Sequence, residues 1–204
     1  MPFKPRERQY RAFLDISAVD HDSESEARAS YIVEGYATTF DVPYDFGHGG
    51  AKECISSRAL DGADMSDVIF QLNHEGPVMA RQRNGSLVIQ PDAHGLHVRA
   101  DLGGSQYGRD LHEAIRAGLI DRMSWAFLIA DDGWEWDPET RVSTITKISK
   151  VFDVSAVSRP ADEDTEIHAR SYLDGVIEAE QKELLLRDRE LRRRAAASLE
   201  LITL

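Results

Sequence analysis

Three segments of the chain each carry a residue that could take part in nucleophilic catalysis. Ser124 lies in an apolar run, His74 directly follows an apolar segment, and Asp153 lies within another. A serine hydroxyl is a weak nucleophile near neutral pH, so it needs a base that takes its proton and a third group that holds the base. The three residues could form such a triad. Spacing alone does not establish it, because unrelated folds build triads from different chain orders and such residues also co-occur by chance.

Each of these residues also has an ordinary structural explanation. A histidine before a Gly-Pro turn can simply end a strand, as His74 would. Asp153 alternates with apolar neighbours, which is typical of the wet face of a half-buried strand. Glu75 is a second carboxylate that could orient His74, but consecutive side chains of an extended chain point to opposite sides. Cys54 paired with His74 would give a cysteine hydrolase, although a lone cysteine is more often a small buried hydrophobic residue.

Composition restricts the class of protein. The 204 residues are 42% hydrophobic, which suits one domain of ordinary size with a real core. With 24 basic and 36 acidic residues the formal net charge is −12, so we expect no nucleic-acid partner and no anionic membrane partner. No apolar run approaches the ~20 residues that span a bilayer. The N-terminal residues form no apolar signal core, so the chain is expected to act inside a cell.

Metal and cofactor chemistry find little support in the sequence. His94 and His97 lie in or beside a turn, without further ligands at a matching spacing. His74 is followed by Glu-Gly-Pro and by no second histidine at the spacing of a zinc helix. We therefore predict no metal site and no cofactor.

Hydrophobic periodicity predicts a mostly β domain. Alternating apolar and polar residues, bounded by glycine, proline and acidic turns, indicate strands, and apolar stripes at helical spacing indicate helices. Strands are predicted at 10–19, 30–40, 68–73, 87–90, 96–102 and 123–129, followed by an antiparallel meander over 131–157; helices are predicted at 57–65 and 105–117.

The C-terminal segment is predicted to be a separate amphipathic helix. Apolar residues recur every seven positions at Ile177, Leu184 and Leu191, and acidic residues precede basic ones at i,i+4 spacing. The pattern fails at Ser198, which favours a short helix that binds a partner or a second copy over a long coiled coil. The expected organisation is a tail at 1–9, a domain at 10–170 and this helix at 171–204.

Five sequence segments together carry a family resemblance. In order and separation they resemble those of the tailed-phage prohead proteases, which mature the capsid, and the resemblance covers roughly residues 10–170. The resemblance implies an α+β fold that is mostly β, with an antiparallel, barrel-like sheet flanked by helices, as in the distantly similar herpesvirus assembly proteases. The C-terminal helical tail would follow this domain. The segments are 33–37, 72–75, 95–100, 115–127 and 152–161.

The resemblance also implies an activity and its residues. Such proteases are serine endopeptidases packaged in the immature capsid in the bacterial host cytoplasm, where they trim the scaffolding segment of the major capsid protein and often process themselves. Ser124 matches the nucleophile and His74 the base. Asp153 stands where the herpesvirus relatives use a second histidine, and Arg159 is the candidate for binding the oxyanion, by analogy with their arginine-rich turn. Capsid protein is the expected partner, with a homodimer through the C-terminal helix.

A non-catalytic internal scaffold of the same fold is the alternative. Its working parts would be the acidic body and the helix at 171–204. Cleavage by the wild type but not by Ser124→Ala distinguishes the two.

Overall fold

The computed structural model describes residues 8–18, 31–45 and 51–158 and the single positions 182, 186 and 187, with the side chains of 12–15 excepted. Every strand and helix described below lies within one compact unit of the chain, Lys4–Glu166. The described part of the chain contains twelve strands, the α-helix at Gln106–Arg116 and three further helical positions, Lys182, Leu186 and Arg187, so the prediction of a mostly β fold is confirmed.

The strands and the helix have the following bounds. A 3-10 turn at Gln82–Asn84 joins the sixth and seventh strands. In chain order they are β1 (Gln9–Ala18), β2 (Ile32–Thr39), β3 (Tyr44–Asp45), β4 (Lys52–Ile55), β5 (Ile69–Leu72), β6 (Glu75–Arg81), β7 (Leu87–Pro91), β8 (Gly95–Asp101), α1 (Gln106–Arg116), β9 (Arg122–Ile129), β10 (Trp134–Asp137), β11 (Val142–Ile145) and β12 (Ile148–Val157).

Two mixed sheets contain all twelve strands. The larger has the order β6-β5-β12-β9-β1-β2-β8-β7, and the smaller has the order β10-β11-β4-β3. Most neighbours are antiparallel, but β12 runs parallel to β5 and β11 parallel to β4. Within the described strands no hydrogen-bonded ladder joins the two edge strands, β6 and β7, so the larger sheet is open. The expectation of an antiparallel, barrel-like sheet is therefore wrong. Parallel pairs need long crossover connections, which local sequence patterns do not reveal.

The helix prediction at 105–117 is confirmed. Ser105 caps α1 by accepting a hydrogen bond from the backbone N–H of Gly108, and Gly118, at φ 69°, follows its last turn. Not every large side chain of α1 faces the core. Tyr107 is 63% exposed, whereas His112 is buried, as are Leu111 and Ile115 of the same helix.

The predicted helix at 57–65 is wrong. The segment forms successive turns, in which the N–H of Ala59 bonds the carbonyl of Ser56 and the N–H of Ala63 bonds that of Leu60. Gly62 at φ 82° interrupts the helical path. Ala59 and Leu60 are buried, so the apolar spacing was a packing signal rather than a helical one.

The predicted meander is correct only in its first half. β10 and β11 form an antiparallel hairpin, but β12 leaves that sheet and enters the larger one between β5 and β9. The expected C-terminal helix at 171–204 lies almost wholly outside the described residues. No helix among the residues that the structure describes has the length and apolar character needed to cross a membrane.

Candidate active site

Ser124 occupies the middle of the central strand β9. It pairs with Ala12 of β1 on one side and with Ser155 of β12 on the other. Residues 123–127 are all buried, with large side chains such as Trp125 alternating with Ser124. A nucleophile on a strand held from both sides has little freedom to move, which suits a residue that must keep its geometry.

His74 lies in the tight turn between β5 and β6. Leu72 pairs with Glu75, so Asn73 and His74 form a two-residue hairpin loop, and both have positive φ, at 51° and 61°. This is the pattern of the hairpin turns whose twist matches the strands. Non-glycine residues in this region cost about 1–3 kcal/mol each and tend to occur at functional sites.

Hydrogen bonds to β12 hold this turn in place. The N–H of Asn73 donates to the carbonyl of Ala156 at 2.9 Å, and the side-chain oxygen of Asn73 accepts the N–H of Ser158 at 3.0 Å. The N–H of His74 donates to Oγ of Ser155 at 3.2 Å. The turn therefore carries the imidazole over the sheet, towards β9.

The three residues of the predicted triad meet in one hydrogen-bonded series. Nε2 of His74 lies 2.6 Å from Oγ of Ser124, and Nδ1 lies 2.5 Å from Oδ1 of Asp153. An ionised carboxylate only accepts, so Nδ1 carries the proton in neutral His74 and Nε2 accepts from the serine hydroxyl. That is the tautomer in which an imidazole can act as a base towards Ser124.

Asp153 is buried, although its alternation with apolar neighbours is typical of a wet strand face. Its side chain is 1% exposed, and Ser155 on the same face of β12 is also buried. A bulge precedes it, since Val151 pairs with Phe127 while Asp153 pairs with Ala126. Such bulges bend a strand and re-aim its side chains. The alternating polar residues of β12 can be buried here because Asp153 accepts hydrogen bonds from Ser155 and from His74.

Arg8, which directly precedes β1, and Tyr10, which lies in it, contact the predicted triad. Nη1 of Arg8 lies 3.8 Å from Oδ2 of Asp153, and the guanidinium carbon lies 4.1 Å from the ring centroid of Phe152. The ring of Tyr10 stands edge-on to that of His74 at 4.7 Å between centroids. Arg8 supplies positive charge beside the buried carboxylate, and Tyr10 packs against the imidazole of His74. The sequence showed no signal for either role.

The hydroxyl of Ser124 is covered in this structure. Ser124 has no exposed surface, while 14% of the His74 side chain is exposed. A peptide carbonyl can therefore reach Oγ only when neighbouring atoms move aside.

The other candidates from the sequence lie elsewhere. Glu75 is exposed, and it is Asp153 that contacts the His74 ring. Cys54 is buried on β4 in the smaller sheet, where burial and the nearby carboxylates of Asp41 and Glu53 raise the pKa of its thiol. Arg159 lies outside the described residues. Within the described ranges no three His, Cys, Asp or Glu side chains are grouped to hold a metal ion.

A hydroxyl, an imidazole and a carboxylate in hydrogen-bonded series have the geometry of a serine-hydrolase triad. The chain belongs to the caudovirus prohead serine protease family, whose sequence model matches residues 17–176. The resemblance drawn from five segments is thus confirmed, and the chain is placed among the proteases of phage capsid maturation.

One solved structure to which this chain is similar is that of the bacteriophage T4 capsid assembly protease. It is 16% identical in sequence, with a TM-score of 0.48 over 74% of this chain and 98% of that chain. No curated protein matches significantly.

Proposed function

We propose that this protein is a serine endopeptidase that cleaves the scaffolding segment of the phage major capsid protein, and itself, during prohead maturation. It acts inside the immature capsid, in the bacterial host cytoplasm. The observation that carries this proposal is the series of two hydrogen bonds that joins Ser124 to His74 and His74 to Asp153. Family membership supplies the biological setting.

The proposed mechanism follows from the direction of these bonds. As Oγ of Ser124 attacks the scissile carbonyl carbon, Nε2 of His74 takes the hydroxyl proton, and Asp153 stabilises the imidazolium that forms. The imidazolium then gives the proton to the leaving amine, which breaks the peptide bond and leaves an acyl ester on Ser124. Water, deprotonated by the same imidazole, hydrolyses the ester and regenerates the hydroxyl.

We retain Arg159 as the proposed oxyanion-binding residue. The tetrahedral intermediate carries negative charge on the former carbonyl oxygen, and one donor aimed at it typically contributes 10²- to 10³-fold in rate. Arg159→Ala should therefore lower kcat by about that factor with a smaller change in KM, and Arg159→Lys should recover part of it. Equal kcat for Arg159→Ala and wild type would remove Arg159 from the mechanism.

In the proposed organisation, residues 10–170 form the catalytic domain and the helix at 171–204 contacts partners. This helix would bind a second copy of the chain. A chain ending at residue 170 should then cleave a short peptide at the wild-type rate and sediment as a monomer, while the full chain sediments as a dimer. A dimeric truncated chain would place the contact elsewhere.

The decisive experiment is co-expression with the major capsid protein of the same phage. Wild type, Ser124→Ala and Ser143→Ala are compared, and the intact masses of both proteins are followed over time. Ser143 is a buried serine in the smaller sheet that accepts a hydrogen bond from Trp134, so its variant controls for loss of a buried hydroxyl. We expect the capsid protein to shorten with wild type and with Ser143→Ala, and to stay intact with Ser124→Ala.

The opposite outcomes are equally informative. Cleavage of the capsid protein by Ser124→Ala would refute the assignment of Ser124 as the nucleophile. An intact capsid protein in every case, with both chains folded and assembled together, would favour the non-catalytic scaffold.

A further inference from the structure

We propose that Ser155 is a positioning residue that joins the base and the acid of the triad. The inference rests on the proposed function, because it assigns Ser155 a role in the cleavage that Ser124 performs. It concerns a residue that touches neither the substrate nor the reacting oxygen, and that acts through His74 and Asp153.

One hydroxyl makes both contacts. Oγ of Ser155 accepts the backbone N–H of His74 at 3.2 Å and donates its own hydrogen to Oδ1 of Asp153 at 3.0 Å. A serine hydroxyl has one hydrogen and two lone pairs, so the donor is fully used and its direction is set. The same Oδ1 atom accepts Nδ1–H of His74 at 2.5 Å. The ring, the carboxylate, the hydroxyl and the backbone of His74 thus form a closed circuit.

The position of Ser155 on β12 makes this circuit rigid. It lies two residues after Asp153, so both side chains point to one face of the strand. It pairs in register with Ser124 of β9, and Ser155 and Ser124 are both fully buried. Burial removes competing water, which strengthens each bond in the circuit and makes an unpaired member more costly.

The other anchors of the turn do not have this dual contact. The N–H of Asn73 bonds the backbone of Ala156, and the side chain of Asn73 bonds Ser158. These bonds hold the turn against β12 and make no contact with the carboxylate. Ser155 alone, among the anchors described here, ties the position of the base to that of Asp153. Removing its hydroxyl should loosen their relative placement while the turn stays attached.

The test compares Ser155→Ala with Ser143→Ala in the purified full chain. The substrate is a peptide spanning the junction found in the capsid co-expression experiment. For Ser155→Ala we expect kcat to fall about ten- to hundredfold, since small misplacements of catalytic groups cost up to about that much, with KM within about twofold of wild type. Ser143→Ala should keep wild-type kcat and KM, because it lies in the other sheet.

A spectroscopic measurement separates positioning from general destabilisation. The Nδ1 proton of His74, bonded to Asp153, should give a low-field proton NMR signal that moves upfield or broadens in Ser155→Ala but is unchanged in Ser143→Ala. Wild-type kcat for Ser155→Ala, or a lowered kcat with an unchanged Nδ1 signal, would overturn the inference.

Failure of the proposed function gives a different result. If Ser124→Ala also cleaves the peptide, the triad assignment fails, and the NMR comparison still decides whether Ser155 holds His74 against Asp153. If Ser124→Ala is inactive while Ser155→Ala equals wild type in kcat, only the role of Ser155 fails.

Discussion

Oδ1 of Asp153 lies 2.5 Å from Nδ1 of His74, although 79 positions separate the two residues in the chain. The neighbouring carboxylate of Glu75 is exposed, and Asp153 takes the place beside the ring. Sequence proximity and spatial proximity therefore point to different acids, and only the second can orient the imidazole.

Substitution of the two acids should have unequal effects. Asp153→Asn keeps the shape of the side chain but removes the charge that stabilises the imidazolium and favours the tautomer, so kcat should fall roughly 10³- to 10⁴-fold. Glu75→Gln should stay within about twofold of wild type. Both are measured with the junction peptide. A larger loss for Glu75→Gln than for Asp153→Asn would reverse the assignment.

The cation beside Asp153 should make a small and salt-sensitive contribution. Arg8 is 42% exposed and 3.8 Å from the carboxylate, so its effect is partly screened by solvent. Arg8→Ala should lower kcat about two- to tenfold at low salt, and the difference from wild type should shrink near 1 M salt, where the screening length is about 3 Å. Arg58→Ala, which removes a surface arginine paired with Asp61, is the control. A salt-independent loss would indicate packing against Phe152 instead.

The left-handed turn before β6 should tolerate glycine better than a β-branched residue. Asn73 has φ 51°, a conformation that glycine adopts freely and that valine strongly resists. Asn73→Val should lower the free energy of unfolding by about 1–3 kcal/mol and reduce kcat, because His74 is displaced. Asn73→Gly should lose less of both, despite losing its bond to Ser158. Denaturant unfolding measures the stability of both variants, and peptide cleavage measures their kcat. Equal losses in Asn73→Val and Asn73→Gly would show that backbone conformation is not the cause.

The thiol of Cys54 should be dispensable and unreactive at neutral pH. Burial and the carboxylates of Asp41 and Glu53 raise the pKa of this thiol above its ordinary value, so the thiolate fraction is low at pH 7 and grows only in the alkaline range. Iodoacetamide should react slowly with the folded chain at pH 7 and faster above pH 9. Cys54→Ala should cleave at the wild-type rate, and a loss of cleavage would revive the cysteine-hydrolase alternative.

A buried ion pair between the two sheets should control stability. Arg11 of β1 donates to both carboxylate oxygens of Glu53 on β4, at 2.5 and 2.8 Å, and the hydroxyl of Tyr44 also bonds Glu53. Removing one partner of a buried pair typically costs about 3–5 kcal/mol. Glu53→Gln should therefore lower the free energy of unfolding by about that amount, measured in urea at pH 7. A change below 1 kcal/mol would contradict this role.

The same cluster predicts a loss of stability at alkaline pH. Burial, followed by the charge of Glu53, raises the pKa of Tyr44 well above its ordinary value. A group with a raised pKa in the folded state stabilises it fully below the unfolded pKa, about 10 for tyrosine, and less as pH rises further. Unfolding free energy should thus fall above pH 10 in wild type, and fall less steeply in Tyr44→Phe. If the unfolding free energies of wild type and Tyr44→Phe fall in parallel above pH 10, Tyr44 is not the cause of the loss.

Local patterns in the sequence were sufficient to predict much of the fold. The alternation around Ser124, the hairpin formed by β7 and β8, and the Ser105-capped helix α1 all depend on side-chain periodicity and capping within a few residues. The family resemblance likewise rested on short segments in order, and the family match confirms it. The candidate residues Ser124, His74 and Asp153 were named from these segments alone.

The tertiary structure alone decided how those segments meet. The parallel ladder that places β12 beside β5, the bulge before Asp153, the positive φ of His74 and the approach of Arg8 have no local signature in the sequence. The alternation around Asp153 did not indicate that its side chain is buried, for the same reason. Periodicity reports which face of a strand is apolar, whereas the partner of a strand, and the polar groups that make a buried face tolerable, come from residues far away in the chain.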